Sequence, residues 1–417
     1  MPGYGLKLIA YLLKIFTFVA LAIVFLSAFN ATAQRDSSLN DKHSGIIDSS
    51  KQRDAIDLVK KFLNRSTPDD SRRVPKKLIF AVVPAAGYSL STGFALAVVS
   101  NLAFYTSNSH KENLSEIGAE VFYDTKTQKV FRSRSEIWAD KNNYKLVTDL
   151  RWERYPEDMY GLGTKTTTAT LNKIDYLYIR TYATLYKKII PDLYGGAGYN
   201  LDHHYNITET GSADNSISDF QKYGYAPSST SSGINLDVLY DSRRNPINPL
   251  GGGYAAIIYR DNFKALGSDN NWRSIQFDLR KYIRLSATSN NILAFWGMAQ
   301  FTNGQAPYLD LPGTGTDMYS NAGRGYARNR FKGKNELYFE SEYRFGVTGN
   351  GLIGAVVFAN AESFSELQAN TFQKIAPAVG SGLRIKINKH SDTNICIDYG
   401  VGTNGSHGFF VSLGEAF

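Results

Sequence analysis

From Lys77 onward, apolar and polar residues alternate with a period of two in one segment after another. That is the spacing of strands with one wet and one greasy face. The clearest case begins at Asn335. Glu336, Tyr338, Glu340, Glu342 and Arg344 share one parity, while Leu337, Phe339, Tyr343 and Phe345 share the other, broken only by Ser341. Over 144–154, Leu146, Thr148, Leu150 and Trp152 face one way and Lys145, Asp149, Arg151 and Glu153 the other. With 334–347, further strands are expected near 78–89, 92–105, 114–124, 129–139, 174–188, 192–205, 231–240, 252–262, 271–285, 290–302, 350–361, 375–388, 393–402 and 407–417, about sixteen in all. Two surroundings suit such strands: a sandwich with a solvated outer surface, or a barrel whose apolar side chains face lipid and whose polar ones line the lumen.

The connections decide between the two. The long ones, 155–173, 206–230, 303–333 and 362–374, all follow odd-numbered strands; those after even-numbered strands are mostly short, such as 286–289, 348–349 and 389–392, with 241–251 the longest. Barrels with both termini in the periplasm alternate long outer loops with short inner turns, and a sandwich has no reason to do so. Strands of nine or more residues also match a tilted span. The fold class read from these patterns is all-β, a closed antiparallel transmembrane barrel over 78–417.

The N-terminus supplies an address. Lys7 and Lys14 precede or open onto the apolar run Ile15–Phe29, and Ala31-Thr-Ala33 has the small-x-small form of a cleavage site, so 1–33 reads as a secretory signal peptide. Residues 34–77 are polar and poor in aromatics and are expected to be a periplasmic linker. Within it, Ile56, Val59 and Leu63 fall on one face of a short helix over 54–63. Abundant Tyr (27), Phe (24) and Gly (36) favour strands and tight turns. A mean hydropathy of -0.29 fits a barrel whose strands are half wet. The single Cys396 excludes an internal disulfide and a Cys-based zinc site. The +8 charge is scattered, not gathered into a nucleic-acid footprint. No cofactor or metal is expected, and adjacent His203 and His204, on opposite faces of a strand, read as exposed residues and not as ligands. No Gly-x-Ser-x-Gly elbow occurs, and Ser406-His407 sits in an outer turn, so no enzyme is expected.

At the end of the chain Phe409, Val411, Leu413 and Phe417 share one parity, the form of a C-terminal strand presented as an edge for pairing. Asp241-Ser-Arg243-Arg-Asn245-Pro246-Ile-Asn-Pro249-Leu-Gly-Gly-Gly253-Tyr resembles the inner turn between strands eight and nine of the BamA/TamA-type barrels, the bacterial surface antigen family. Arg324-Gly325-Tyr326 resembles that family's signature in the sixth outer loop, and 336–345, 357–364 and 382–417 are similar to its last strands. The resemblance implies that the loop folds back into the lumen and that its Arg pairs with inward carboxylates. An unpaired desolvated guanidinium is costly. Glu336, Glu340, Glu342 and Asp398 are the inward acids on offer, with Glu342 the expected partner. Where the family carries Asp, this chain has Asn360, expected to give a neutral contact.

The family's role implies insertion or export of proteins, with unfolded outer-membrane or secreted polypeptides as clients and outer-membrane lipid and lipopolysaccharide as surroundings. Only 44 residues lie between signal and barrel, too few for the family's periplasmic repeat domains, so a separate periplasmic accessory protein is expected. The alternative is a passive channel or surface receptor that keeps the fold without the insertase activity.

Overall fold

A computed structural model of the chain describes residues 52–55, 78–89, 92–106, 113–286, 289–368, 370–389 and 392–417. The expected signal peptide, most of the linker and the helix beyond Ala55 lie outside these residues.

Sixteen long antiparallel strands form one sheet: β1 Leu78–Ser89, β2 Gly93–Phe104, β3 Ser115–Asp124, β4 Lys129–Ala139, β5 Tyr144–Arg154, β6 Asn172–Ile190, β7 Leu193–Ser212, β8 Ser228–Asp241, β9 Gly252–Asn262, β10 Trp272–Arg284, β11 Ile292–Gly304, β12 Asn335–Gly346, β13 Ile353–Phe364, β14 Ala376–Asn388, β15 Thr393–Val401 and β16 His407–Leu413. A three-residue strand, Glu157–Met159, adds to the outer end of β6. Each long strand pairs with the next in sequence. The sheet curls into a barrel in which β1 and β16 lie side by side. No ladder joins them among the described residues, so the ring is nearly closed, with a seam.

Side-chain parity divides inside from outside. In β12, Glu336, Tyr338, Glu340, Glu342 and Arg344 are buried, while Phe339, on the other face, is 52% exposed. In β5, Lys145, Asp149, Arg151 and Glu153 are buried and Leu150 and Trp152 are exposed. Phe80, Leu96, Val121, Leu236, Val357, Val379 and Val411 extend the apolar exterior around the ring. Such an exterior is stable against hydrocarbon and not against water. Inside, the polar parity is neutralised by ion pairs: Arg132 with Glu153 (2.6 Å), Arg151 with Asp149 (2.6 Å), Arg260 with Asp202 (2.6 Å) and Arg280 with Asp278 (2.6 Å).

Three expectations are corrected. The Ser-rich stretch 206–230 is not all loop: β7 runs to Ser212 and β8 starts at Ser228, because β6 and β7 continue pairing beyond the span, as far as Asn172↔Ser212. His204 falls on the inward parity of β7, where it is buried and stacked on Tyr178 (centroids 4.3 Å), so it is not an exposed residue. His203, facing the other way, shares a hydrogen bond with Thr230 at 2.9 Å. The remaining loop holds a short helix, α1 (Asp219–Gly224), capped by the Ser218 hydroxyl, with Phe220 packed on Tyr308.

The third correction concerns the last strand, which ends at Leu413. Phe409 and Val411 face outward as expected, but Gly414 (φ +84°) turns the chain inward and Phe417 is buried in the lumen. The next outward position after Leu413 would be Glu415, and a carboxylate pointing into hydrocarbon is costly. Inside, Glu415 instead accepts from Arg384 Nε (2.8 Å) and Asn394 Nδ2 (2.9 Å). At the end of the barrel with the short turns, Arg53 N donates to the Asn350 carbonyl (3.1 Å) and the Asp54 carboxylate accepts from Lys389 N (3.1 Å).

Candidate functional site

The loop between β11 and β12 enters the lumen and docks on the wall formed by β12–β15. That wall is bare by composition. Ala376, Ala378, Gly380 and Gly382 share the inward parity of β14, and Gly400 and Gly402 continue the patch beside β15. A Cβ added at Gly400 would lie 2.7 Å from Gly325 N, and one at Gly402 would lie 2.5 Å from the Tyr326 ring. Backbone thus packs on backbone. Gly325 itself has φ +113°, and a Cβ there would meet Ala378 at 2.8 Å, so the position requires glycine twice over.

Arg324 reaches an acidic cluster on that wall. Its Nη1 donates to Asp398 Oδ2 at 2.5 Å, and its Nη2 bridges Glu340 and Glu342. The guanidinium carbon lies 3.8 Å from the centroid of the Phe358 ring. Glu340 also accepts from the Tyr338 hydroxyl. Two further arginines share the cluster: Arg344 bonds Glu342 (2.6 Å), and Arg384 bonds Asp398 (2.5 Å). Asn360 Nδ2 donates to the Arg324 carbonyl (2.9 Å), so it reads the loop's backbone and leaves the guanidinium to the acids. Three carboxylates therefore take one Arg where the sequence reading favoured Glu342. Glu336 is not among them. It is higher up the same face of β12, where its charged neighbours are Glu362, Asp317 and Lys332.

Tyr326 completes the motif from the other side. Its hydroxyl donates to the Pro377 carbonyl (2.7 Å) and accepts from Thr403 N (2.9 Å), while Ser406 Oγ donates to the Gly325 carbonyl (2.7 Å). The outer turn 402–406 is thus part of the docking site, and Ser406 acts there as a clasp. Farther along the loop, Arg328 pairs with Glu153 (3.5 Å), Asn329 Nδ2 donates to Glu157 (2.8 Å), and Lys332 Nζ donates to the Leu311 carbonyl (2.6 Å). Burial pushes the Lys332 ammonium down to about 8.

The inner-turn motif lies at the opposite end of the lumen. Asp241 accepts from Arg243 Nε (2.9 Å) and Nη2 (3.0 Å), and Arg243 lies over Tyr254. Asn245 Oδ1 accepts from Ile247 N (2.9 Å), a local turn that carries Pro246 to the lumen cavity; Pro249 is buried, and Gly253 N is bound by Ser242 Oγ (3.0 Å). The Ile247 carbonyl accepts from Glu415 N (3.0 Å), so the turn also holds the inward tail. Periodicity put Arg344 on the face of Glu340 and Glu342 but gave no sign that Arg384 and Glu415 join the same charge cluster. The all-small parity 376–382 was a legible signal for the docking wall.

On the far side of the docked loop a cavity of about 620 Å³ remains, bounded by Glu116, Glu120, Arg132 and Arg134 on β3 and β4 and reaching the seam at Val411 and Leu413.

No family model and no curated protein matches the sequence. Solved structures do match the fold. BamA from Haemophilus ducreyi lacking POTRA domains 1–3 is similar with a TM-score of 0.51 at 14% identity, covering 86% of this chain and 78% of that one. CdiB from Acinetobacter baumannii gives 0.51 at 13% identity over 81% of this chain, and CdiB from Escherichia coli gives 0.50 at 9% over 84%. The match spans 60% and 63% of the two CdiB chains. At these identities the likeness is one of fold, and the chain has the fold of the outer-membrane β-barrels BamA and CdiB.

Proposed function

We propose that this barrel inserts or exports polypeptides at the outer membrane, receiving them from a separate periplasmic partner, and that it works by strand exchange at the seam. The observation that carries this reading is the mismatch between its edge strands. β1 spans Leu78–Ser89, while its neighbour β16 stops at Leu413 after seven residues and no ladder joins the two among the described residues. An edge strand left unpaired presents a row of backbone donors and acceptors, a template on which an incoming strand can add. The docked loop supports the same reading, because it leaves the lateral edge as the freer route. The role requires no covalent chemistry and no cofactor. Its clients would be unfolded outer-membrane or secreted chains, and lipid and lipopolysaccharide would surround the barrel.

The test is a cysteine pair joining β1 to β16 in the full chain, reconstituted in vesicles with an unfolded barrel client. Protection of the client from protease is expected to vanish when the pair is oxidised and to return on reduction. Undiminished protection with the seam locked overturns the reading. The cavity beside the loop favours a second reading, a channel or receptor for small solutes, which predicts conductance in planar bilayers without any alteration of the loop.

A further inference from the structure

The lumen arginines Arg132, Arg151, Arg243, Arg260, Arg280 and Arg344 each hold a carboxylate oxygen at 2.9 Å or less. Arg134 does not. Its ion-pair partner, Asp149, lies 3.9 Å from Nε and is already held by Arg151 (2.6 Å) and Arg180 (3.3 Å). The Nε and Nη2 of Arg134 are buried and make no hydrogen bond, and the Tyr319 ring lies 5.5 Å from the guanidinium. Arg132 and Arg328 beside it share Glu153, so guanidinium groups outnumber carboxylates on this part of the wall. A buried cation without a close counter-charge is costly, and the position favours an anion.

There is room for one. The β3 neighbour of Arg134 is Gly118, where a Cβ would meet nothing nearer than the Arg134 carbonyl at 3.9 Å. Both residues line the cavity of about 620 Å³, as does Ser320, whose buried hydroxyl is also without a hydrogen bond. That volume falls within the roughly 300–1,000 Å³ of pockets that take a single ligand. The acids of the cavity are engaged elsewhere: Glu116 by Asn101, Glu120 by Arg132 (3.7 Å) and Glu136 by Lys145 (2.7 Å). Ala95, Ala97 and Val99 of β2 give the cavity an apolar side. At the seam both faces of β16 bound it, Phe410 and Ser412 from within and Val411 and Leu413 from without, together with the exposed Pro84 of β1. The cavity therefore joins the lumen to the hydrocarbon outside.

We propose that this cavity is a binding site for a membrane phospholipid, with the headgroup phosphate on Arg134 beside Gly118 and the acyl chains leaving between β16 and β1 into the bilayer. A guanidinium with free donors matches the oxygens of a phosphate. The apolar side and the exit into hydrocarbon select a lipid over a soluble phosphate, because chains that stay among apolar groups keep their surface out of water. The inference stands apart from the assembly role above: a seam that never admits a polypeptide would still pass an acyl chain.

The probe is dihexanoyl phosphatidic acid, titrated by calorimetry against the purified full chain in detergent micelles. Glycerol 3-phosphate, which lacks the chains, and dihexanoylglycerol, which lacks the anion, are titrated beside it. The phosphatidic acid is expected to bind at least roughly tenfold more tightly than either, and Arg134→Gln is expected to weaken it by roughly tenfold, the loss of a charged hydrogen bond. Gly118→Leu fills the space beside the guanidinium while leaving every charge in place, and is expected to weaken it as much. Glycerol 3-phosphate bound as tightly as the lipid would make this a soluble-phosphate site and overturns the proposal, as does dihexanoylglycerol bound equally or undiminished binding by either variant. Arg134→Gln is expected to unfold at no lower urea than the unaltered chain, since it has no close acid to abandon; a destabilised variant would make Arg134 a structural partner and overturns the proposal. A second measurement places the chain in vesicles containing a long-chain phosphatidic acid with a diazirine on one acyl chain. Crosslinks at Pro84, Val411 or Leu413 are expected to fall in Arg134→Gln, and equal crosslinking in both proteins overturns the proposal.

Discussion

The wall formed by β12–β15 and the seam between β16 and β1 are built on opposite terms. On the wall, Arg324, Arg344 and Arg384 meet Glu340, Glu342, Asp398 and Glu415 through buried side chains, and the loop backbone rests directly on Gly400 and Gly402. At the seam, no ladder joins the strands among the described residues and a cavity of about 620 Å³ reaches the gap. Removing one member of a buried charge cluster strands the others, whereas an unpaired edge has little to lose. The contrast teaches that the loop is a fixed part of the barrel and that the seam is where movement costs least.

The strongest way to break this contrast is Arg324→Ala. It leaves Glu340, Glu342 and Asp398 with two arginines in place of three, and a loss of about 3–5 kcal/mol is expected for an uncompensated buried charge. The folded form, read by its heat-modifiable gel mobility, is expected to melt at lower temperature or lower urea. Arg324→Lys keeps the charge but cannot bridge three carboxylates, and is expected to fall between the two. Unchanged mobility of the alanine variant would mean that the loop is not latched.

Gly402→Ala probes the backbone packing alone. Its Cβ would stand 2.5 Å from a Tyr326 ring held by two hydrogen bonds, and overpacking of this kind costs about 1–3 kcal/mol. An alanine tolerated without loss in a urea titration would show that the loop has room to retreat. Deletion of 318–330 is expected to raise single-channel conductance in planar bilayers and to cost at least as much stability as Arg324→Ala, because Glu340, Glu342 and Asp398 stay on the wall without that arginine. Conductance equal to that of the full chain would place the barrier elsewhere. At the seam, Val411→Ala removes only lipid-facing surface, and a change of about 0.5 kcal/mol or less is expected in the same urea titration. A loss as large as that of Gly402→Ala would show that the seam is packed as firmly as the wall.

Alternation in β5 and β12 was legible because a period of two is local: each residue's face follows from its neighbours two positions away. The motif Arg324-Gly325-Tyr326 was legible as a sequence pattern, and inward acids were legible by parity. Which acids met the arginine was not legible from that parity. Glu336, Glu340 and Glu342 look alike along the chain, and only the placement of the loop against the wall separates the first from the other two. His204 was misread because two adjacent strand residues face opposite ways, and local spacing does not report that the inward one packs on Tyr176 and Tyr178 of β6.

By itself, then, the sequence determined the strands, their faces and the order in which long loops and short turns follow one another, since each depends on residues close in the chain. The tertiary structure decided how Arg324, Arg344 and Arg384 share their carboxylates and that the chain turns inward at Gly414. Those outcomes depend on strand register and on charges brought together from several strands and the lumen loop, and no local period encodes which of them meet.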